Sequence, residues 1–426
     1  MTVLTLLDRP PRFGDLRQRV QACVDAFPRL RQRVAEPPFG LGPPRWVEAK
    51  PFDLDSHLRL THREGIDTRG LLHFAAVTAR QGIERSSPLW ELVVVDGLED
   101  GRGALVFKLH HSLTDGVGGM EILLSVLDWS RDPEQAPELE PVQLGPAEGL
   151  FDGILGQVVT GARRVASAPG LALRAARDPW HSMTSTWSTG GSVVRLLTPG
   201  TSRLSPLFAG HSDRWFFDTY EVPMAVLHDS ASAAGGTIND VFMASVTGGL
   251  YRYHVKLGHE ITHLRVNVPV NFRKAGDPAG GNRFTPVRFA VPVDEPDPRE
   301  RVRQLGELCR RWRNEPALPL TDTIADVLSR LPGRATTAVL GSMMYGVDFV
   351  ATNVPGIDRP CYIAGAEVLR QFAFAPLAGA AVNFALVSHA GTACIGVNMD
   401  EAAVSDPDLL MACVRDSFDE VTATRE

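Results

Sequence analysis

Lysine is nearly missing from this chain. Of 43 basic residues only four are lysines, Lys50, Lys108, Lys256 and Lys274, so chemistry that runs through a lysine imine has few candidates. Cysteine is sparse too: Cys23, Cys309, Cys361, Cys394 and Cys413 are odd in number, widely scattered and without CxxC spacing. That excludes a disulfide framework or a cysteine zinc cluster and fits reduced thiols in a cytosolic protein. No apolar run approaches the length needed to cross a bilayer, so membrane contact would be peripheral. The opening residues, MTVLTLLDRPPRFGDL, lack the charged, apolar and small-residue order of a secretory signal. A net charge of −7 and a pI near 6.0 leave no uniform positive field for nucleic acid. There is no GxSxG elbow, no P-loop and no strand-linked GxGxxG, which argues against serine hydrolase, nucleoside triphosphate and dinucleotide chemistry.

What is present is the patterning of a globular α/β protein, with 44% apolar and 22% charged residues over 426 positions. That length suggests two or three domains or one two-lobed unit. The segment 15–34 carries Leu16, Val20, Cys23, Val24 and Phe27 at helical spacing and predicts an amphipathic helix. Two apolar, β-branched runs, 89–98 and 104–113, flank the turn EDGRG and predict antiparallel strands. A helix is expected from residue 120, strands at 264–272, 286–293 and 347–355, and a hairpin over 382–399 turning at His389 to Gly391. Thr237 and Asp240 form a capping-box pattern at the head of a helix that Gly258 ends. Between the halves, 131–147 is acidic and proline-bearing, a linker by composition. It leads into 150–180, whose Arg163, Arg164, Arg174 and Arg177 among apolar residues suit either a helix on an anionic membrane surface or one bridging two lobes. The expected organisation is therefore an N-terminal lobe at 1–130, a linker with a basic amphipathic helix at 131–200, and a C-terminal lobe at 201–426.

Two stretches could carry chemistry. In 108-KLHHSLTDGVGG-119 two adjacent histidines are followed by Asp115 and by Gly116, Gly118 and Gly119. If residues 104–111 are extended, Leu105, Phe107, Leu109 and His111 share one face while Val106, Lys108 and His110 share the other. Opposed histidines cannot readily chelate one ion, whereas a partly desolvated imidazole at a strand end can act as a general base. Packing histidines beside an Asp turn are the plainer possibility for the pair alone. The second stretch, 259-HEITH-263, matches HExxH. A zinc site would need both histidines on one helix face, yet Gly258 stops the preceding helix and Ile261 and Thr262 lead into a strand. A helix-to-strand loop is expected there, and no metal site.

HHSLTDG at 110–116 resembles the HHxxxDG signature of CoA-dependent acyltransferases and condensation domains. The chain more specifically resembles the bacterial wax ester synthase/acyl-CoA:diacylglycerol acyltransferase family, through 88-PLWELVVVDGL-98, 237-TINDVF-242, 268-VPVNFR-273, 282-NR-283 and 352-TNVPG-356. The likeness spans about residues 20–420. It implies a fold similar to chloramphenicol acetyltransferase, with two related α/β lobes, each a mixed sheet with helices, and a tunnel between them.

By that resemblance His111 is the base, His110 supports the strand end, Asp115 is architectural and pairs with Arg273, and Gly116 belongs to the turn. Asn239 holds the reacting oxygen or the site, Asp240 serves the capping box, and Trp90 packs. The implied reaction moves a fatty acyl group from acyl-CoA, the co-substrate, to a long-chain alcohol or diacylglycerol, with no further cofactor. A cytoplasmic location is implied, peripheral on the inner membrane face or on lipid inclusions. Acylation of a specialised-metabolite hydroxyl or amine, or lipid binding without catalysis, stays open. Family members usually carry an SPLD-like motif ahead of the first strand. This chain opens at MTVLTLLDRP, inside that strand, which bears on substrate specificity.

Overall fold

The computed structural model describes residues 1–36, 44–113, 116–133, 203–271, 284–313 and 346–423. The acidic linker beyond residue 133, the basic 150–180 stretch, Asp115, Arg273 and the 282–283 pair lie outside the described residues.

Fourteen strands and seven helices are labelled here in chain order among the described residues. The first half runs β1 (Thr2–Leu7), α1 (Phe13–Ala26), β2 (Gln32–Ala35), β3 (Arg45–Glu48), β4 (Leu58–Ile66), α2 (Thr68–Arg80), β5 (Trp90–Leu98), β6 (Gly103–Leu109) and α3 (Gly116–Ser125). The second runs β7 (Trp215–Pro223), α4 (Met224–Ala233), α5 (Ile238–Lys256), β8 (His263–Asn271), β9 (Phe284–Pro292), α6 (Pro298–Arg313), β10 (Phe349–Ile357), β11 (Tyr362–Ile363), β12 (Ala366–Phe374), β13 (Val382–His389), β14 (Thr392–Asp400) and α7 (Pro407–Ala423).

Two six-stranded mixed sheets form the frame. Their orders are β11-β12-β1-β6-β5-β4 and β7-β14-β13-β10-β8-β9, with β2 and β3 pairing separately. In the first sheet only β4 and β5 run parallel. In the second, β10 is parallel to both β13 and β8. The expected β5–β6 pair and the β13–β14 hairpin form with continuous antiparallel registers.

The first sheet is buried on both faces, which is why β5 reads as an almost unbroken apolar run. Leu92, Val94, Leu105 and Leu109 face α1 and α3, whereas Val93, Val95, Ala104 and Val106 face α2 and Phe217 of β7. In the second lobe α5 is buried on nearly all sides, from Val241 through Tyr253 and His254, between the sheet and its neighbouring helices. Such all-round burial explains its lack of a polar face.

Three expectations are corrected. The helix expected over 15–34 ends at Ala26. Phe27 leaves helical geometry, Pro28 cannot donate to the helical ladder, and a short 3₁₀ turn delivers the chain into β2. The strand expected to 113 ends at Leu109, because a backbone bond from Leu113 N to His110 O closes a turn. Residues 201–426 do not stay in one lobe: β11 and β12 cross over and pair onto β1 of the first sheet. That exchange builds the junction. Phe374 of β12 stacks on Phe217 of β7 with centroids 4.0 Å apart. Gly396 of β14 comes so close that a Cβ there would lie 2.2 Å from the Ala373 carbonyl oxygen, so only glycine fits the crossing.

Candidate active site

The histidine pair sits where β6 gives way to α3. His110 N donates to the Leu89 carbonyl, which continues the ladder one residue past the strand. The His110 ring folds back on its own turn: its Nδ1 lies 2.7 Å from Ser112 Oγ and accepts from Ser112 N at 3.2 Å. Desolvation by the surrounding chain, with smaller contributions from neighbouring positive charges, lowers the His110 pKa. His111 lies in the turn itself, half-buried, with Nδ1 shielded from solvent. Both histidines thus lie past the end of β6, at and in a turn, and not in the extended strand that alternation assumes. Lys108, just upstream, points to the opposite face and donates to the carbonyls of Thr78 and Gln81 at the C-terminal end of α2, each at 3.0 Å. A cation there complements the helix dipole. Burial and the nearby Arg59 lower its pKa to about 8.

An apolar cavity lies against the first sheet and reaches Leu109, the last residue of β6 before this turn. Its floor is the inner face of the first sheet, including Leu105, Phe107 and Leu109, the residues that alternation placed together. One wall is α1, whose stripe of Leu16, Val20, Cys23 and Val24 faces the space. A second is α3 with Gly119, Ile122 and Leu123. Val354 and Val387 close it from the second sheet.

The family landmarks explain parts of this wall. Trp90 of PLWE lines the cavity and is fixed there. Its Nε1 donates to the Leu30 carbonyl at 2.8 Å, and its ring stacks on His57, whose Nδ1 is 2.8 Å from the Trp90 carbonyl oxygen. Val354 belongs to TNVPG. The glycine of that motif, Gly356, passes so close to β13 that a Cβ would meet the Ser388 carbonyl oxygen, and its N–H donates to Ser388 Oγ at 3.0 Å.

A buried ion pair braces the helices that line the cavity. Arg19 of α1 reaches Asp128 at 2.6 Å, with the two side chains 10% and 1% exposed. Asp128, just past α3, exchanges two backbone hydrogen bonds with Tyr362 of β11, both 2.8 Å. Asp128 therefore holds α1 by its carboxylate and ties the end of α3 to the exchanged strands by its backbone.

The remaining expected residues are distributed as follows. Gly116 opens α3. Asn239 is the second residue of α5, half-buried, on the second lobe. Asp240 completes the capping box: Oδ2 accepts from Thr237 N at 2.9 Å, while Thr237 Oγ1 accepts from Asp240 N at 3.3 Å. It also packs against Gly306 of α6, with Arg310 3.9 Å away, so its surroundings are those of a cap. HEITH runs as a loop into β8, not as a helix, and does not place its histidines on one helical face. Sequence reasoning missed Gln371 of β12, a polar residue in the cavity wall, because nothing in the segment AEVLRQFAF marks one of its members as a lining residue.

Two lobes of mixed sheet joined by an exchanged strand, with the His110–Leu113 turn following a strand that lines the cavity, form the acyltransferase fold of the chloramphenicol acetyltransferase type. Solved structures share it. A wax ester synthase/diacylglycerol acyltransferase from Marinobacter aquaeolei VT8 superposes with a TM-score of 0.64 at 20% identity, covering 100% of this chain and 94% of that one. The starter condensation domain of rhizomide synthetase, solved with C8-CoA, superposes at 0.61 and 12% identity over 99% and 88%.

Sequence comparison is more specific. Residues 2–242 match the wax ester synthase/diacylglycerol acyltransferase catalytic domain, and 280–422 match the C-terminal domain of the same enzymes. A Mycobacterium tuberculosis H37Rv protein assigned as a diacylglycerol O-acyltransferase is 36% identical over 99% of this chain and 87% of its own length. A second from that strain, tgs1, assigned likewise, is 28% identical over 98% and 88%. The chain belongs to the wax ester synthase/diacylglycerol acyltransferase family and is an acyl-CoA-dependent O-acyltransferase.

Proposed function

We propose that the protein moves a fatty acyl group from CoA to a long-chain alcohol or diacylglycerol, giving a wax ester or a triacylglycerol. The observation that carries this reading is the apolar cavity whose lining runs to Leu109, at the strand end from which the turn with His110 and His111 departs. An apolar chain is the occupant such a lining favours, because a polar metabolite would leave its hydrogen-bonding groups unpaired.

His111 is the general base. It takes the proton from the acceptor hydroxyl as that oxygen attacks the thioester carbonyl carbon. The tetrahedral adduct then collapses, the C–S bond breaks, and the imidazolium returns its proton to the CoA thiolate. With Nδ1 shielded, Nε2 is the atom for this work. By the family's pattern we assign Asp115 and Arg273, outside the described residues, to the support of His111, and Asn239 to the reacting oxygen. Atoms and charges balance without a cofactor beyond acyl-CoA, the co-substrate. Among the described residues no helix is long and apolar enough to cross a membrane, and we place the meeting with a lipid acceptor at a membrane or lipid-inclusion surface, peripherally.

The test is transfer from labelled palmitoyl-CoA to hexadecanol or diolein by the purified protein and by His111→Ala. The variant should keep its thermal transition and lose about 10²- to 10⁴-fold in rate. Undiminished turnover would remove His111 from the mechanism. Acyl-CoA binding with no transfer to any acceptor would make the protein a binder.

A further inference from the structure

The apolar cavity lining is interrupted by Thr5 and, facing it across the ladder, by the amide of Gln371. Gln371 is 1% exposed, and both amide atoms, Oε1 and Nε2, have no hydrogen-bond partner among the described residues. A buried amide left unpaired is unfavourable, and folds seldom keep one without a use.

Its depth can be read from the strand registers. Gln371 of β12 lies opposite Thr5 of β1, which lies opposite Leu105 of β6, and all three line the cavity. Leu105 is four residues before Leu109, where the strand ends and the histidine turn begins. At about 3.3 Å per residue the Gln371 row is therefore roughly 13 Å down the strand from the turn. The thioester carbonyl and the ester groups of a diacylglycerol lie within a few bonds of the reacting oxygen, too near to reach that row. The intervening row, Phe107 with Val3 and Ala373, is apolar.

We propose that Gln371 is a specificity residue for a chain that carries its own oxygen, a hydroxyl or keto group, part-way along its length. An extended chain advances about 1.2 Å per bond, taking three bonds per residue of extended backbone. The oxygen then falls near the tenth to twelfth carbon from the reacting end. The amide suits either form, since it donates to a keto oxygen and both donates to and accepts from a hydroxyl. This inference rests on the cavity being the chain-binding site, and its test reads binding so that it does not depend on turnover.

The probes are hexadecanoic acid and its 2-, 10- and 12-hydroxy derivatives, titrated calorimetrically into the full chain and into Gln371→Leu. The wild-type protein should bind the 10- or 12-hydroxy chain about tenfold more tightly than the plain or 2-hydroxy chain, the worth of one buried hydrogen bond. Gln371→Leu should abolish or reverse that preference without lowering Tm, since it removes an unpaired amide. Equal binding of all four chains by the wild-type protein, as a resident water on the amide would give, overturns the proposal. So does a preference that survives in Gln371→Leu, or a fall in Tm, which would mean that the amide is partnered within the fold. Binding of no chain at all removes the chain reading of the cavity. A mid-chain preference in a protein that transfers no acyl group sinks the proposed reaction and leaves Gln371 in place.

Discussion

Single residues in this protein hold segments that have few other anchors. Asp400, at the end of β14, is 1% exposed and accepts from Ser212 N, Ser212 Oγ and Ala402 N, with His211 Nδ1 at 3.3 Å. Burial alone would raise its pKa, but these donors overcome burial and the net shift is downward. A carboxyl lowered in the folded state stabilises the fold above its unfolded pKa, near 3.9, and loses that contribution as pH falls through the lower folded value. Asp400→Asn should therefore cost about 1–3 kcal/mol at neutral pH. In thermal melts, the gap between wild type and variant should be full above about pH 5 and shrink below the usual carboxylate range. A gap independent of pH would mean that shape, not charge, is what Asp400 supplies. The same scale shows what a motif conveys. The sequence reads His110 and His111 apart by strand alternation, whereas the structure ends the strand at Leu109 and sets both residues at the turn closed by Leu113 N.

At the scale of elements, the Arg19–Asp128 pair fixes α1 to the end of α3 and, through Tyr362, to β11. Removing one partner of a buried pair leaves the other charge stranded, commonly at about 3–5 kcal/mol, whereas replacing both by apolar groups is often neutral. Asp128→Ala should lower stability by that amount in urea denaturation, and Arg19→Met with Asp128→Leu should recover most of it. An equal loss in the double variant would show that the pair matters for its hydrogen bonds and not for stranded charge.

Elements also show what was legible in the sequence. β5, β6, β8, β9, β10, β13 and β14 were readable because their faces are buried and their apolar patterns are strong. β4 was not. It is an edge strand with most of its residues exposed, including Leu60 at 53%, so no pattern of burial is written into it. The amphipathic stripe of α1 was visible as a stripe, but its orientation toward a cavity depends on partners distant in sequence.

Across the whole molecule, the exchanged strand makes the lobes interdependent. β12 leaves the second lobe, pairs with β1, packs Phe374 on Phe217, and returns to β13. Phe374→Ala should therefore cost about 3–5 kcal/mol and lower a single calorimetric transition, because neither sheet keeps its edge or junction without the other. Two separable transitions would refute this coupling. Sequence reasoning placed 362–374 with its chain neighbours, and strand exchange between sheets is a long-range pairing that local propensity does not encode. The family motifs revealed the acyltransferase fold and the histidine turn, while the polar row at Thr5 and Gln371 appears only once β12, β1 and β6 are set side by side.

The crossing of β12 also bears on how a long chain gets in. A hinge that swung the lobes apart would have to unzip a ladder running from Thr2 opposite Phe374 to Leu7 opposite Val368. The sheet side of the cavity is in effect a weld. On the helical side the cavity is lined by α3, a ten-residue helix, beyond whose end Asp128 is held by Arg19 and by the bridge to Tyr362. The protein resembles a box seamed along one edge by a full strand ladder and pinned along the other by a single residue.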